Sequence, residues 1–303
     1  MRMRKKKNLT PRMEACGAYL IRDPFSLRGR WRELMPQASS LRVELGCGKG
    51  GFTAKTAAAD PDVLLIAVEK VPDAMVVAME RAKNDDLKNV WFVDGDAALL
   101  PDMFAPGEID RLYINFCDPW PKSNQKKRRL THGNFLKKYR QVLARGGQIH
   151  FKTDNDKLFE WSLEEIPQFG FQLSEVTRNL HADGPVGVMT DYEKKFYDEG
   201  KSINRCVATM VDWVDWTDPE EDDVPSPAET EEAQKRTARG RFFFVSVRLS
   251  MAASGKGKFP AAGKAAEGVH QSIASHSRGC KRGQGNFSHF GRSTKNPRRF
   301  WAK

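Results

Sequence analysis

Short apolar runs alternate with amphipathic stretches along the first 216 residues of the chain. Five of these runs are continuous enough for strands that are buried on both faces, at 41–45, 63–68, 90–93, 111–116 and 148–151. Two later β-rich runs, 171–180 and 205–213, have no strong crossover helix between them, which is typical of an antiparallel final pair. The pattern therefore predicts an α/β fold with a doubly wound, mostly parallel seven-stranded sheet and an antiparallel last strand.

The clearest helical pattern lies at 131–144. Its apolar residues recur at helical spacing and share one face. Thr131 is the predicted N-cap, and the pair Gly146-Gly147 is the predicted end of the helix. Helical stretches of this kind between the apolar runs supply the crossover connections that parallel strands require.

Composition divides the chain into four parts. Residues 1–40 are predicted to form a basic N-terminal arm with a lead-in helix, and residues 41–216 the α/β domain. An acidic, proline-containing linker follows at 217–235. Residues 236–303 form a basic tail that is predicted to be mostly disordered, with the composition of a strand at 241–250.

Charge is distributed unevenly along the chain. Of the formal net charge of +11 over 303 residues, +4 lies in residues 1–216 and +7 in residues 217–303. This excess favours a polyanionic partner, and the composition of the tail fits either nonspecific RNA contact or a solvated tail. The longest purely apolar run is far shorter than the roughly 20 residues that a membrane span needs, and the N-terminus lacks the apolar stretch of a secretory signal. We therefore expect a cytoplasmic protein without a membrane partner.

The five cysteines are widely spaced and include no CxxC pair. An odd number with this spacing is not typical of a disulfide framework or of a zinc site. The sequence therefore predicts neither disulfides nor a bound metal.

Acidic residues lie at or just after the carboxyl end of each of the five predicted parallel strands: Glu44, Glu69, Asp96, Asp118 and Asp154. Ligands of open α/β sheets bind beyond the carboxyl ends of the strands. A single acid at such a position is more often a helix cap or a surface charge, but five at one edge argue against that interpretation. The five side chains are therefore predicted to line a single cleft.

A glycine-rich turn, ELGCGKGG at 44–51, follows the first of these strands. Its glycines permit positive φ and close approach of a ligand to a helix N-terminus, which favours a nucleotide-like ligand. The GxGxxG spacing also fits an NAD enzyme, with Glu69 as the acid that binds ribose. Glu44, however, would repel a pyrophosphate. The sulfonium, ammonium, ribose and adenine amino groups of S-adenosylmethionine match Glu44, Glu69 and Asp96 better, so this donor is favoured.

A rigid turn, NFCDPWPK at 115–122, follows the fourth strand. Its two prolines hold Asp118 and Lys122 in place, and Trp120 either stacks on a base or packs against the protein. The basic run KKRR at 126–129 is either an RNA-facing rim or a solvated face. The acid, the ring and the basic run together favour the RNA-facing rim.

These motifs occur in a recognisable order, ELGCGKGG, DPWPK with KKRRL, HFKTDN and TDYExxF with Gly200. From about Met1 to about Trp216 the chain resembles the bacterial tRNA (guanine-N7)-methyltransferase family of class I S-adenosylmethionine-dependent enzymes. The resemblance implies methyl transfer from S-adenosylmethionine to N7 of the variable-loop guanosine at position 46 of tRNA. We expect tRNA as the partner of this methyltransferase domain, in a monomer or a homodimer.

The resemblance also implies a role for each motif residue, with Asp118 as the catalytic residue. Cofactor contacts are implied for Glu44, Gly46, Gly48, Glu69, Asp96, Ala97 and Asp118, substrate contacts for Lys122, Asp154, Thr190, Asp191, Tyr192 and Glu193, and RNA contacts for Asn124, Gln125, Lys126, Lys127, Arg128 and Arg129. The chain departs from the family pattern in three places. Cys117 replaces the more usual Pro or Ser, and the run at 123–125 is less basic, so RNA contacts in this loop are expected to be weaker. The third departure is the segment 217–303, which nothing in the family core predicts.

The expected chemistry depends on positioning more than on proton transfer. Guanine N7 has a free lone pair at neutral pH, so no strong general base is needed, and Asp118 is predicted to stabilise the cationic purine and align the donor. Either Asp154 or Glu193 is the candidate acceptor for the N1–H and N2–H₂ groups of guanine. The alternatives are a methyltransferase with another RNA acceptor, a noncatalytic RNA-binding relative and, last, an NAD-dependent oxidoreductase.

Overall fold

The sheet that the apolar pattern predicts is present in the computed structural model, which describes residues 5–211. Its strands are β1 (Leu20–Ile21), β2 (Ser40–Leu45), β3 (Val63–Glu69), β4 (Val90–Asp94), β5 (Ile109–Asn115), β6 (Leu143–Thr153), β7 (Phe171–Thr177) and β8 (Asn204–Met210). They lie in the order β1-β4-β3-β2-β5-β6-β8-β7. The predicted linker at 217–235, the tail at 236–303 and the run at 241–250 lie outside the described residues.

The direction of the strands confirms the predicted fold class. β8 is antiparallel to both of its neighbours, β6 and β7, whereas the pairs from β1 to β6 are parallel. All seven predicted strands are present, and an eighth, the two-residue β1, pairs with β4 at the edge. Two residues are too few to produce an apolar run, so the sequence pattern does not reveal β1.

Helices cover both faces of the sheet. They are α1 (Leu9–Ala15), α2 (Gly51–Ala59), α3 (Pro72–Asn84), α4 (Leu100–Met103), α5 (Gly133–Val142), α6 (Asp156–Gln168) and α7 (Asp191–Asp198). Apolar residues of α4, α5 and α6 share one core with β2 and β5, and those of α1, α2 and α3 share a second core with β3 and β4. No helix within residues 5–211 combines the length and the apolar character that crossing a membrane requires.

The predicted boundaries of α5 are wrong at both ends. The helix begins at Gly133, and its N-cap is His132, whose Nδ1 accepts a hydrogen bond from the Asn134 backbone N–H at 3.1 Å. Thr131 is fully buried, with its hydroxyl 2.7 Å from that of Ser162, so it is not available as a cap. The pair Gly146-Gly147 lies inside β6, because strand pairing with β5 resumes directly after the helix.

The chain order of the strands fixes where a ligand binds. From β2 the chain proceeds to β3 and β4 on one side and then returns to β5 on the other side of β2. The carboxyl ends of β2 and β5 therefore flank the topological switch point of the sheet, where open α/β folds bind their ligands. The glycine-rich turn at 44–51 and the DPWP turn at 115–122 leave the sheet side by side at this point.

Candidate active site

A cavity of about 1690 Å³ opens at the carboxyl ends of β2, β3, β4 and β5. Residues 20–25 and the first residues of α7 contribute to its walls. Seven acidic side chains are among the residues that line it: Asp23, Glu44, Glu69, Asp94, Asp96, Asp118 and Asp191. The switch point thus carries a large cleft with an acid-rich lining.

Four of the five acids that were predicted to share one cleft line this cavity. Asp154 is exposed and does not line it, so the prediction is wrong for this residue. Asp154 follows β6, which lies one strand further from the switch point than β5. β6 lies on the side of β5 away from β2, β3 and β4, whose strand-end acids line the cavity.

The glycine-rich turn is held by Glu69. Gly46 and Gly48 have φ angles of 75° and 58°, which favour glycine. The Glu69 carboxylate accepts hydrogen bonds from the backbone N–H groups of Gly48 at 2.8 Å and Val71 at 2.9 Å. Each carboxylate oxygen has a second lone pair, so Glu69 can still accept from a ligand hydroxyl.

Glu44 is the most deeply buried acid of the cleft, with 2% of its surface exposed. Its carboxylate accepts hydrogen bonds from the Thr53 hydroxyl at 2.5 Å and from the Asn115 amide at 3.3 Å. Burial raises the pKa of Glu44 to about 7, although these two hydrogen bonds oppose the shift. A cation that enters the cleft would therefore stabilise the ionised form of a carboxyl group that is poised near neutrality.

The end of β4 contributes two acids, one of which the sequence interpretation missed. Asp94 is the last residue of the strand, and although solvent in the cleft reaches it, the surrounding protein and Glu69 raise its pKa to about 6. Asp96 accepts a hydrogen bond from the Ala98 backbone N–H at 3.0 Å and lies 3.7 Å from Lys70 Nζ. Ala97 is buried behind this turn and does not line the cavity. The sequence DGDA offered both acids, and only the position of Asp94 at the strand end distinguishes it.

The DPWP turn is held in a strained conformation. Phe116 and Trp120 have φ angles of 53° and 41°, which are uncommon for residues with a side chain. Arg129 donates to the backbone carbonyls of Pro119 and Trp120, both at 3.1 Å. Asp118 points into the cavity and makes no hydrogen bond or ion pair with any residue of the 5–211 segment. The turn thus holds the Asp118 carboxylate on a fixed backbone at the cleft.

Basic residues of the predicted RNA-contact run occupy different positions. Lys127 and Arg128 line the cavity, together with Lys138 and Lys195. Asn124 and Lys126 are exposed outside the lining, as is Lys122, and Gln125 is half-buried. Arg129 points inward to the DPWP turn and lies 4.4 Å from the Trp161 ring, so its guanidinium positions the turn.

The TDYE motif begins α7. Thr190 and Glu193 form a reciprocal capping box, in which each side chain accepts from the backbone N–H of the other. Glu193 is fully buried, and its carboxylate also accepts from Lys152 Nζ at 2.9 Å and His181 Nε2 at 3.0 Å. Glu193 does not line the cavity, so the structure places it behind the cleft rather than against a ligand.

Thr190, Asp191 and Tyr192 of the motif line the cleft. Asp191 lines it and forms an ion pair of 2.8 Å with Arg81 of α3. Tyr192 lines it with 59% of its surface exposed, and its ring centroid is 6.4 Å from that of Phe196. The first turn of α7 thus contributes one paired acid and one accessible ring to the cleft.

Comparison with known proteins agrees with this geometry. A family model described as "Putative methyltransferase" matches residues 38–206, from before β2 into β8. The tRNA (guanine-N(7)-)-methyltransferase of Geobacillus kaustophilus (strain HTA426) is 44% identical over 209 residues, which cover 69% of this chain and 96% of that protein. The chain belongs to the tRNA (guanine-N7)-methyltransferase family.

A second curated protein and a solved structure were also matched. The protein of the same name from Bacillus subtilis (strain 168) is 39% identical over 214 residues, which cover 70% of this chain and 99% of that protein. A solved structure of the 16S rRNA methyltransferase KamB is 16% identical, with a TM-score of 0.49 over 61% of this chain and 94% of that chain. The Geobacillus kaustophilus and Bacillus subtilis proteins thus match this chain over nearly their whole length.

The lining of the cleft fits a cationic methyl donor. Within the described segment, Glu44, Asp94 and Asp118 have no ion-pair partner, although all three line one cavity. Three unpaired carboxylates repel one another, and a ligand that carries sulfonium and ammonium groups would offset that repulsion. No cluster of His, Cys, Asp and Glu suited to a metal ion occurs between residues 5 and 211.

Proposed function

We propose that this chain transfers the methyl group of S-adenosylmethionine to N7 of guanine in tRNA, at the variable-loop guanosine 46. The observation that carries the proposal is one cavity that combines unpaired carboxylates, a rigid DPWP turn and basic side chains. The names of the curated relatives support guanine N7 as the acceptor and tRNA as the substrate. Position 46 follows from the resemblance of the motifs.

S-adenosylmethionine supplies a methyl group on a positively charged sulfur when it is bound. Glu44 and Asp94 would hold its cationic groups, Glu69 its ribose hydroxyls and Asp96 its adenine amino group. The positive φ angles of the glycine-rich turn allow the backbone to approach the ligand closely. Each of these side chains lines the same cavity, so one donor molecule can contact them together.

Asp118 has the geometry for a direct role in catalysis. Its carboxylate has no hydrogen-bond or ion-pair partner among the described residues, lies in the cleft and is carried by a turn that Arg129 fixes. Methylation at N7 makes the purine cationic, and a fixed carboxylate stabilises that developing charge more than it stabilises the neutral base. Because the backbone is already strained and fixed, little reorganisation is needed as the reaction proceeds.

The basic side chains would bind the RNA backbone. Lys127, Arg128, Lys138 and Lys195 line the cleft. Lys122, the last residue of the DPWP turn at 115–122, is exposed. Phosphate contacts of this kind give affinity and register without reading the sequence. The guanosine that enters the cleft is therefore selected by its position in the tRNA fold and by contacts to its base.

Of the two candidates, Asp154 and Glu193, we propose Asp154 as the acceptor for the N1–H and N2–H₂ groups of guanine. The carboxylate of Glu193 already accepts from Lys152, His181 and the Thr190 backbone. Asp154 is exposed and has no hydrogen-bond or ion-pair partner in the described part of the chain. A purine that extends beyond the cavity toward the end of β6 could donate its N1–H and N2–H₂ groups to this acid.

The proposal is tested by locating the methyl group. Full-length protein is incubated with labelled S-adenosylmethionine and a tRNA transcript, and N7-methylguanosine is mapped by reduction and aniline cleavage. We expect label and cleavage at guanosine 46, and neither in a matched transcript with adenosine at that position. Label at another site, or no label, would overturn the proposal.

A further inference from the structure

Arg128 lies on the ring of Trp120 inside the cleft. The Arg128 Cζ atom is 3.8 Å from the centroid of the indole, and both residues line the cavity. Trp120 lies between two prolines and has a left-handed backbone conformation. The backbone carbonyls of Pro119 and Trp120 accept hydrogen bonds from Arg129. The backbone beneath the ring is therefore fixed, and one face of the ring is covered by a guanidinium group.

Among residues 5–211, the Trp120 ring is the only group that the Arg128 guanidinium contacts through a polar or cation–π interaction. Arg128 makes no hydrogen bond or ion pair with the protein within the described range. A cation–π contact at a solvent-accessible site is weaker than the stacking of a nucleobase on tryptophan. A guanidinium and a purine are both planar and occupy a ring face in the same way, so a base can displace this arginine.

We propose that the indole of Trp120 is the stacking platform for the acceptor guanine, and that Arg128 covers this platform until the base displaces it. This inference rests on the proposed methyl transfer to guanine. Asp118 lies two residues before Trp120 in the same turn, so a base on the ring is close to the carboxylate assigned to catalysis. The displaced guanidinium is then available for a backbone phosphate, which it can bind through two hydrogen bonds.

The charge of the product makes this platform more than a passive surface. As the N7–CH₃ bond forms and the S–CH₃ bond breaks, the positive charge passes from the sulfonium to the purine. The face of an indole attracts a cation more than a neutral ring. Trp120 therefore stabilises the transition state and the methylated base more than it stabilises neutral guanine, which increases the rate of the chemical step.

The test compares Trp120→Phe and Trp120→Leu with the wild-type chain. Single-turnover N7 methylation is measured at saturating tRNA, and the Kd values for tRNA and for S-adenosylmethionine are measured separately. We expect Trp120→Leu to lower the single-turnover rate by about tenfold or more, and Trp120→Phe to retain most of it, because a ring remains available for stacking. The Kd for tRNA should change by less than about threefold, since phosphate contacts dominate tRNA affinity. The Kd for S-adenosylmethionine should change as little, because Trp120 is not among the residues proposed to hold the donor.

The matched control is Trp91→Phe, which changes a tryptophan of β4 outside the cavity lining and should leave the rate unchanged. Equal rates in wild type and Trp120→Leu would overturn the inference. An equal loss of single-turnover rate in Trp120→Phe and Trp120→Leu would also overturn it, as would a loss of affinity for S-adenosylmethionine. Either result would show that Trp120 maintains the conformation of the turn and does not stack on the base. If the wild-type chain fails to methylate guanine, the proposed function itself fails.

Two further measurements do not depend on the folding of Trp120→Leu. With tRNA and S-adenosylhomocysteine, tryptophan emission should be quenched in the wild type and quenched less in Trp120→Phe, and equal quenching would contradict stacking on this residue. Arg128→Lys should keep the salt dependence of tRNA affinity. In Arg128→Leu the slope of log K against log salt should become less steep by about 0.9, which corresponds to one lost phosphate contact. An unchanged slope in Arg128→Leu would show that the displaced arginine does not bind a phosphate.

Discussion

The ionisation of Glu44 links donor binding to pH. Its pKa is raised to about 7 by burial, so the carboxyl group is largely neutral at pH 6 and ionised at pH 8. A cationic donor binds the ionised form more tightly, so its affinity should rise as the pH increases through about 7. If only the ionised form binds, the affinity at pH 6 is about tenfold lower than at pH 8.

Calorimetry of S-adenosylmethionine binding across this pH range checks the expectation. The Glu44→Gln variant should bind more weakly at pH 8 and should lose most of the pH dependence. Asp94, with a pKa of about 6, lines the same cavity, so Asp94→Asn is the control that removes the second titrating group. A Glu44→Gln variant that keeps the full pH dependence would assign it to Asp94 or to the ligand.

Asp118 gives a second prediction, on the rate of the chemical step. In Asp118→Asn the shape of the side chain is retained and its charge is lost, so the developing positive charge on the purine is no longer stabilised. We expect the single-turnover rate to fall by roughly 100-fold, with tRNA affinity nearly unchanged. Rapid-quench measurements with saturating tRNA and donor check this, and normal turnover with intact tRNA would contradict the assignment.

The candidate site was only partly predictable from individual residues. Acids at strand ends were found because their residue type and position are both visible in the sequence. What the sequence does not show is which acids are already paired: Glu193 is occupied by Lys152 and His181, which come from β6 and from the loop after β7. Asp94 was missed because two acids lie at the end of the same strand, and the sequence pattern favoured Asp96 over Asp94 without evidence to separate them.

At the scale of elements, Glu193 joins α7 to the sheet. Lys152 of β6 donates to Glu193 and to the backbone carbonyl of Val188 at 3.1 Å. The Nδ1 atom of His181 accepts from the Val186 backbone N–H, so its Nε2 carries the proton that is donated to Glu193. Burial lowers the pKa of Lys152 and the Glu193 charge opposes this shift, so the lysine depends on its partner. This network fixes the helix that carries Asp191 and Tyr192 into the cleft.

Removing one partner of this network should be costly. Glu193→Gln leaves Lys152 buried without a counter-charge, and we expect a loss of about 3 kcal/mol in the free energy of unfolding, measured by urea denaturation. The double variant Lys152→Met/Glu193→Gln should lose less, because no buried charge remains unpaired. Arg178→Gln is the matched control: it breaks an ion pair with Glu160 whose side chains are about half exposed, and it should cost less than about 1 kcal/mol. A Glu193→Gln variant as stable as this control would show that the network contributes little.

The elements themselves were predictable where burial is complete. β3 is buried at every position, and such strands appear in a sequence as continuous apolar runs. The ends of α5 were not predictable, because the choice between Thr131 and His132 as the cap depends on Ser162 of α6, which is 31 positions away. β1 was missed because its two residues, which pair with β4 at the edge of the sheet, are too few to form an apolar run.

At the scale of the whole molecule, the charge of the chain is segregated. Residues 1–216 have a net charge of +4, residues 217–235 a net charge of −7 and residues 236–303 a net charge of +14. The buried Arg140 donates to the backbone carbonyls of Gly170 at 2.5 Å and Val211 at 3.3 Å, and a chain that ends at Trp216 keeps both.

Three lengths of chain therefore distinguish an RNA-binding tail from a solvated one. The full chain has a net charge of +11, the form 1–216 one of +4 and the form 1–235 one of −3. If residues 236–303 contact RNA, tRNA affinity should decrease in that order and the salt dependence should be steepest for the full chain, because the tail releases counterions from phosphates. The single-turnover methylation rate at saturating tRNA should be the same in all three, since the cleft lies entirely within the shortest form. Filter binding across a range of salt concentrations checks this, and equal slopes for the full chain and 1–216 would show that the tail is only solvated.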